Sequence, residues 1–113
     1  MKNDLLSQFD AYQNDAMRTA NDLSAEEKIL NGAMGMCGES GEVMDHMKKF
    51  MFQKHPLDYE KVAEEAGDVL WYIACLADGM GISLAEIAQR NIAKLQKRYP
   101  AGFNPERSLN RKD

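Results

Sequence analysis

Gly38-Glu39-Ser40-Gly41-Glu42-Val43 and Glu64-Glu65-Ala66-Gly67-Asp68-Val69-Leu70-Trp71-Tyr72 are two acidic segments of matching form, each set in a strongly helical stretch. A separation of three residues puts Glu39 with Glu42, and Glu65 with Asp68, on one face of their respective helices. If the two helices pack as neighbours, four carboxylates converge. At about 4 Å and an effective dielectric near 20, each like-charged pair costs roughly 4 kcal/mol. Such a cluster calls for a counterion, and an all-oxygen ligand set favours Mg²⁺, or Mn²⁺ as a substitute, over zinc or copper. A magnesium site in turn implies phosphates. Solvated surface charge is the alternative for any acidic pair. Here the flanking residues Met36, Val43, Ala66 and Val69 are small or apolar, and Glu64 adds a fifth carboxylate one turn before Asp68.

Outward from these segments, apolar positions recur at helical spacing along the chain, with no period-2 strand bounded by turn signals. The pattern predicts an all-α fold of four principal helices. Helix 1 is expected from Asp4 to Asn21, with Leu5, Leu6, Phe9, Tyr12, Ala16 and Met17 as its stripe. Ser24-Ala25-Glu26-Glu27 is a capping box that opens helix 2, which extends toward Lys54 until His55-Pro56 breaks it. Asp58 is the expected N-cap of helix 3, which ends at Gly79-Met80-Gly81. Ser83-Leu84-Ala85-Glu86 is a second expected capping box, opening helix 4, which stops at Tyr99-Pro100. These elements make one domain over residues 1–103. The polar tail, 104–113, is expected to be irregular.

The chain has 113 residues, enough for a modest core that subunit association would help. A net charge of −4 argues against general attraction to nucleic-acid polymers or anionic membranes. No apolar run reaches membrane-spanning length and no signal-peptide pattern opens the chain, so a cytoplasmic location is expected. Cys37 and Cys75 are too few for a disulfide framework or a zinc site and read as core residues.

Gly32, Gly35, Gly38 and Gly41 recur every third residue of helix 2, each giving up about 1 kcal/mol of helix propensity relative to alanine. Close approach of a second helix and room for a ligand are both open as reasons. Lys49, seven residues after Glu42, is the best-placed cation for phosphate oxygens, with Lys94 and Arg98 next and Arg107 and Arg111 of the tail weaker. His46 and His55 are not expected as ligands or bases, since no Glu-x2-His motif of the di-iron bundles occurs. Met34, Met36, Met44, Met47 and Met51 read as core filler. Trp71 is expected in the core, and Tyr72 under a bound base. There is no Gly-x4-Gly-Lys-Ser/Thr loop and no dinucleotide fingerprint. Release of a terminal phosphate commonly relies on such a loop, so a carboxylate tetrad without one points to scission between the α and β phosphates.

The two acidic segments, in this order and with the Gly67-Asp68-Val69-Leu70-Trp71-Tyr72 run, resemble the MazG-like all-α nucleoside triphosphate pyrophosphohydrolases. Asn91-Ile92-Ala93-Lys94-Leu95 and Lys97-Arg98-Tyr99-Pro100 extend the resemblance, which spans about Ala33 to Phe103. It implies that Glu39, Glu42, Glu65 and Asp68 hold Mg²⁺ against a triphosphate. It also implies that water attacks the α-phosphorus and that nucleoside monophosphate and pyrophosphate are released, clearing unwanted nucleotides from the pool. Asn91 and Lys94 match positions that contact nucleotide in relatives, which assemble as homodimers or homotetramers. Sister activities on the same scaffold (phosphoribosyl-ATP pyrophosphohydrolase, dUTPase-type) and a non-catalytic helical interaction module stay open at this point.

Overall fold

The computed structural model describes residues 2–112, apart from the side chains of Lys2, Asn3 and Leu5. Leu5 of the expected helix 1 stripe therefore lies outside the described side chains. Helix α1 spans Lys2–Met17 and runs into a single 3-10 turn, Arg18–Ala20. Helix α2 is Ala25–Phe52, α3 is Tyr59–Gly79, α4 is Leu84–Arg98, and a short α5 is Pro105–Leu109. Among the described residues there is no strand. Among the described residues, no single helix is long and apolar enough to cross a membrane.

The helix boundaries follow from their caps. Ser24 Oγ accepts from the Glu27 N–H at 3.1 Å while Glu27 Oε1 accepts from the Ser24 N–H at 2.9 Å, completing the box. Asp58 accepts from the N–H groups of Glu60 and Lys61, and Ser83 from that of Glu86. Gly81 takes a left-handed φ of +73°, which turns the chain from α3 into α4. The tail is not wholly irregular. Asn104 accepts from the N–H groups of Glu106 and Arg107, and Pro105 takes the first helical position, so these residues form α5.

The long hairpin of α2 and α3 is the main packing unit, and α1 and α4 lie against α3. Glycine sets how close the hairpin comes. A Cβ on Gly32 would stand 2.6 Å from the Leu76 backbone nitrogen, and one on Gly35 would fall inside the Tyr72 ring. The glycine repeat thus divides, because Gly38 and Gly41 have nothing within 4 Å of where a Cβ would be. The fully buried positions carry small side chains: Ala74, Cys75 and Ala77 on α3.

At the far end of α3, a buried glutamine on α1 joins three elements. Gln13 Nε2 donates to the carbonyls of Ala74 and Ile82, and its Oε1 accepts from the Leu84 N–H at 2.9 Å. Trp71, half-buried, donates from Nε1 to the Ala16 carbonyl and to Thr19 Oγ1, tying α3 to the end of α1.

Two expectations about the core are corrected. Cys75 is buried, but Cys37 is exposed. Met34, Met44 and Met51 do not fill the protomer core, with exposures of 70%, 66% and 68%. The reason is common to all four. They lie on the side of α2 turned away from α3, whereas Met36 and Met47, nearer the hairpin seam, are half-buried.

Candidate metal and nucleotide site

The α2–α3 hairpin brings Glu39 of α2 against Glu65 and Asp68 of α3. One carboxylate oxygen from each lies within 4.8 Å of the other two. Glu39 and Glu65 are half-buried and Asp68 is exposed. The Glu39 carboxyl is held above its ordinary range, first by a hydrogen bond to Glu65, then by partial desolvation, then by the charges of Asp68, Glu65 and Glu42. Crowded carboxylates disfavour the ionised form in this way when their charge is not otherwise met.

Glu42 stands apart from the three. It is exposed, and its charge is felt at Glu39 and at Lys49. Residues three apart on a helix differ by about 60° around the axis, so when Glu39 points into the hairpin Glu42 points to its rim.

His46 and Tyr12 enter the site's surroundings without having been singled out for it. His46 Nε2 stands 3.7 Å from Glu65 Oε1. The Tyr12 hydroxyl is pushed up in pKa, first by burial and then by the charge of Asp68, so α1 also reaches the site electrostatically. The sequence signal for His46 was its place one turn after Glu42. For Tyr12, set among apolar stripe residues, there was none.

A cleft of about 320 Å³ is lined by His46, Lys49, His55, Pro56, Asp58 and Lys61; His46 links it to Glu65, and none of the four predicted carboxylate ligands lines it. Lys49 therefore faces it, but its ammonium is engaged by Asp45 at 2.9 Å, which holds its pKa above the ordinary lysine value. Lys61 is a further cation of this cleft. Tyr72 lies edge-on to Trp71, with ring centroids 5.1 Å apart, and covers Gly35 in the helix seam, which gives it a packing role.

Asn91, Lys94 and Arg98 run along α4, separate from the two helices that carry the carboxylates. Arg98 lies at a second cleft of about 570 Å³, together with Lys97, Asn104, Arg107, Arg111 and Lys112. There the Arg107 Nε donates to the Arg98 carbonyl at 2.7 Å, fastening α5 to the end of α4. None of the four predicted carboxylate ligands lines this cleft.

Comparison with known proteins agrees with this geometry. The chain is 34% identical over 102 residues to the Gene 37 protein of Mycobacterium phage L5, an alignment covering 82% of this chain and 90% of the phage protein. No solved structure matches the chain significantly. The MazG nucleotide pyrophosphohydrolase domain family matches residues 29–103, a stretch that begins in α2 and takes in both acidic segments, α3 and α4. On that match, the chain belongs to the MazG nucleotide pyrophosphohydrolase family.

Proposed function

We propose that this protein is a Mg²⁺-dependent nucleoside triphosphate pyrophosphohydrolase that converts a (d)NTP to (d)NMP and pyrophosphate. The observation that carries the reading is the meeting of Glu39, Glu65 and Asp68 across the hairpin, within 4.8 Å of one another. The donor set is all carboxylate, which suits Mg²⁺, with Mn²⁺ as a substitute. Its charge is unmet enough to raise the Glu39 pKa. Glu39, Glu65 and Asp68 would hold the ion, with Glu42 at the rim as the fourth carboxylate. The ion's contribution is to neutralise charge on the phosphate oxygens.

The chain's own groups supply the rest. Glu39 is assigned to orient the attacking water and accept its proton. The water oxygen bonds to the α-phosphorus as the α–β bridging oxygen departs with pyrophosphate. Lys49 and Lys61, which line the cleft that also holds His46, are assigned to offer charge to the outer phosphates. Asn91 and Lys94 are assigned to the nucleotide in keeping with the family resemblance, and Arg98 and Tyr72 on their helical spacing to Lys94 and Asp68. The proposed role is clearance of unwanted nucleotides in the cytoplasm.

The working unit is proposed to be a homodimer or homotetramer. The isolated protomer exposes 8514 Å². A folded monomer of this mass would expose about 6,300 Å². Its radius of gyration is 17.0 Å, against about 13 Å for a compact chain of this length. An excess near 2,000 Å² per chain is what an obligate interface covers.

Product analysis with a panel of (d)NTPs and Mg²⁺ tests the reaction. Monophosphate with pyrophosphate is expected. Diphosphate with orthophosphate would overturn the assignment, as would no turnover of any triphosphate.

A further inference from the structure

The tail folds back on the end of α4 and carries a charge opposite in sign to that of the chain as a whole. Gly102 takes a left-handed φ of +94°, which reverses the chain after α4. The Tyr99 and Phe103 rings then pack with centroids 5.2 Å apart, and Arg107 Nε donates to the Arg98 carbonyl. The cleft of about 570 Å³ formed here is lined by Lys97, Arg98, Arg107, Arg111 and Lys112, with Glu106 as its one carboxylate. Five of the chain's 14 basic residues gather in it, against one of its 18 acidic residues, in a chain of net charge −4.

Local structure accounts for part of this set. Cations in the last turn of α4 suit the negative end of its dipole, which covers Lys97 and Arg98. Arg107 closes a helix-end carbonyl, and that bond uses one of the five N–H donors of its guanidinium. Neither reason extends to Arg111 and Lys112, which lie beyond α5. Cations held around one hollow repel one another, as the carboxylates of the hairpin do, and an anion relieves the repulsion.

We propose that this cleft is a second ligand site, which takes the polyphosphate group of a small molecule and holds it with Lys97, Arg107, Arg111 and Lys112. Five cations against one carboxylate leave a net +4 in the cleft. A carboxylate or a single phosphate leaves most of that unbalanced, whereas a chain of two or three phosphates meets it. Guanidinium groups pair with phosphate oxygens through two parallel N–H donors. The volume is that of a small-molecule site, about 300–1,000 Å³.

The cleft stands apart from the carboxylates of its own protomer. Helix α4 turns away from α3 by 101°. At about 1.5 Å per residue, Asp68 lies about 16 Å from that turn along α3 and Arg98 about 21 Å from it along α4, so the two are about 25 Å apart. A triphosphate whose α-phosphorus sits at Glu39, Glu65 and Asp68 cannot span that distance, which removes Arg107 and Arg111 from the substrate phosphates of their own protomer. The cleft therefore binds its ligand whether or not the carboxylates turn one over. Arg98 could meet a nucleotide at the carboxylates only on another copy, and binding in the cleft would then depend on Mg²⁺.

The test is isothermal titration calorimetry of the full chain in EDTA, with inorganic triphosphate as the probe and circular dichroism as a check of folding. Without metal the carboxylates repel the probe, so the cleft alone is read. Wild-type protein is expected to bind one triphosphate per chain. Arg111→Glu with Lys112→Glu, two exposed changes beyond α5, should raise the dissociation constant at least tenfold. The neutral pair Arg111→Gln with Lys112→Gln should raise it in the same direction. Pyrophosphate and an α,β-methylene nucleoside triphosphate separate two sources of the same chemistry. Pyrophosphate binding at least as tightly assigns the site to phosphates alone, a tighter nucleotide assigns it to a nucleotide, and either sustains the proposal. No binding in EDTA, binding that appears only with Mg²⁺, or an affinity unchanged by the paired substitutions would overturn it. Orthophosphate binding as tightly as triphosphate, or a single-stranded oligonucleotide binding more tightly, would overturn it as well.

Discussion

Gly32 and Gly38 lie on the same helix, yet alanine at the two positions is expected to act in opposite directions. A Cβ on Gly32 would stand 2.6 Å from the Leu76 nitrogen and 2.8 Å from its Cα and Cβ, whereas ordinary contact begins at 3.4 Å. The obstacle is helix backbone, which cannot swing aside. The α2–α3 seam would have to open by nearly 1 Å, a gap at which the contacting atoms lose a quarter to a half of their dispersion energy. Overpacking of this kind costs about 1–3 kcal/mol. Relief of glycine's poor helix propensity returns about 1 kcal/mol. Gly32→Ala should therefore destabilise by up to about 2 kcal/mol. Gly38→Ala meets nothing within 4 Å and should stabilise by about 1 kcal/mol. The two variants would differ by about 1–3 kcal/mol, or about 4–12 °C in melting temperature for a chain of this size. Urea unfolding followed by circular dichroism measures the difference, at one fixed protein concentration because association adds to stability. Equal stability of the two variants, or a more stable Gly32→Ala, would refute the close-approach reasoning.

Three further outcomes are expected. Because the folded-state pKa of Glu39 lies above its ordinary value of 4.5, the fold holds that proton more tightly than the unfolded chain does. Metal-free stability should then fall as pH rises from about 4.5 through the raised pKa. Thermal melts across pH should show that decline, and Glu39→Gln should lose it. Asp68→Asn should keep the helical fold but lose most of the Mg²⁺-dependent rise in melting temperature. In the native protein that rise should approach about 2.7 kcal/mol of stabilisation at an ion concentration 100 times the dissociation constant. An undiminished response would remove Asp68 from the ligand set. Gln13→Leu should cost about 2–4 kcal/mol by chemical denaturation, because it strands the Ile82 carbonyl and the Leu84 N–H that Gln13 satisfies.

The helices, their caps and the carboxylates were legible in the sequence because each depends on local spacing. Ser24 with Glu27, Asp58 and Ser83 cap as their positions dictate. Spacing also put Glu39 with Glu42 and Glu65 with Asp68, but it could not say how far around α2 the contact with α3 reaches. That angle separates Glu39, inside the three-carboxylate group, from Glu42 at its rim. Neither could an apolar residue announce whether its own chain or another covers it. Met44 and Met47 look alike in sequence, yet one is exposed and the other half-buried. Gln13 was illegible for a different reason. A polar residue on a helix reads as solvated until the ends of α3 and α4 are brought around it, and that is a tertiary event.

Leu84 apart, the buried apolar positions Ala20, Ala74, Cys75, Ala77 and Ala85 carry little side-chain volume, and this shifts the usual mutational vulnerability. Most cores fail when a large side chain is trimmed and a void is left behind. Among these apolar positions only Leu84 offers much to trim. The junction of α1, α3 and α4 is instead sensitive to growth, because one extra methylene has nowhere to go without moving a helix axis. Drift at these positions is confined to exchanges among the smallest residues. Stabilising changes must then come from the surface and from any face shared between chains.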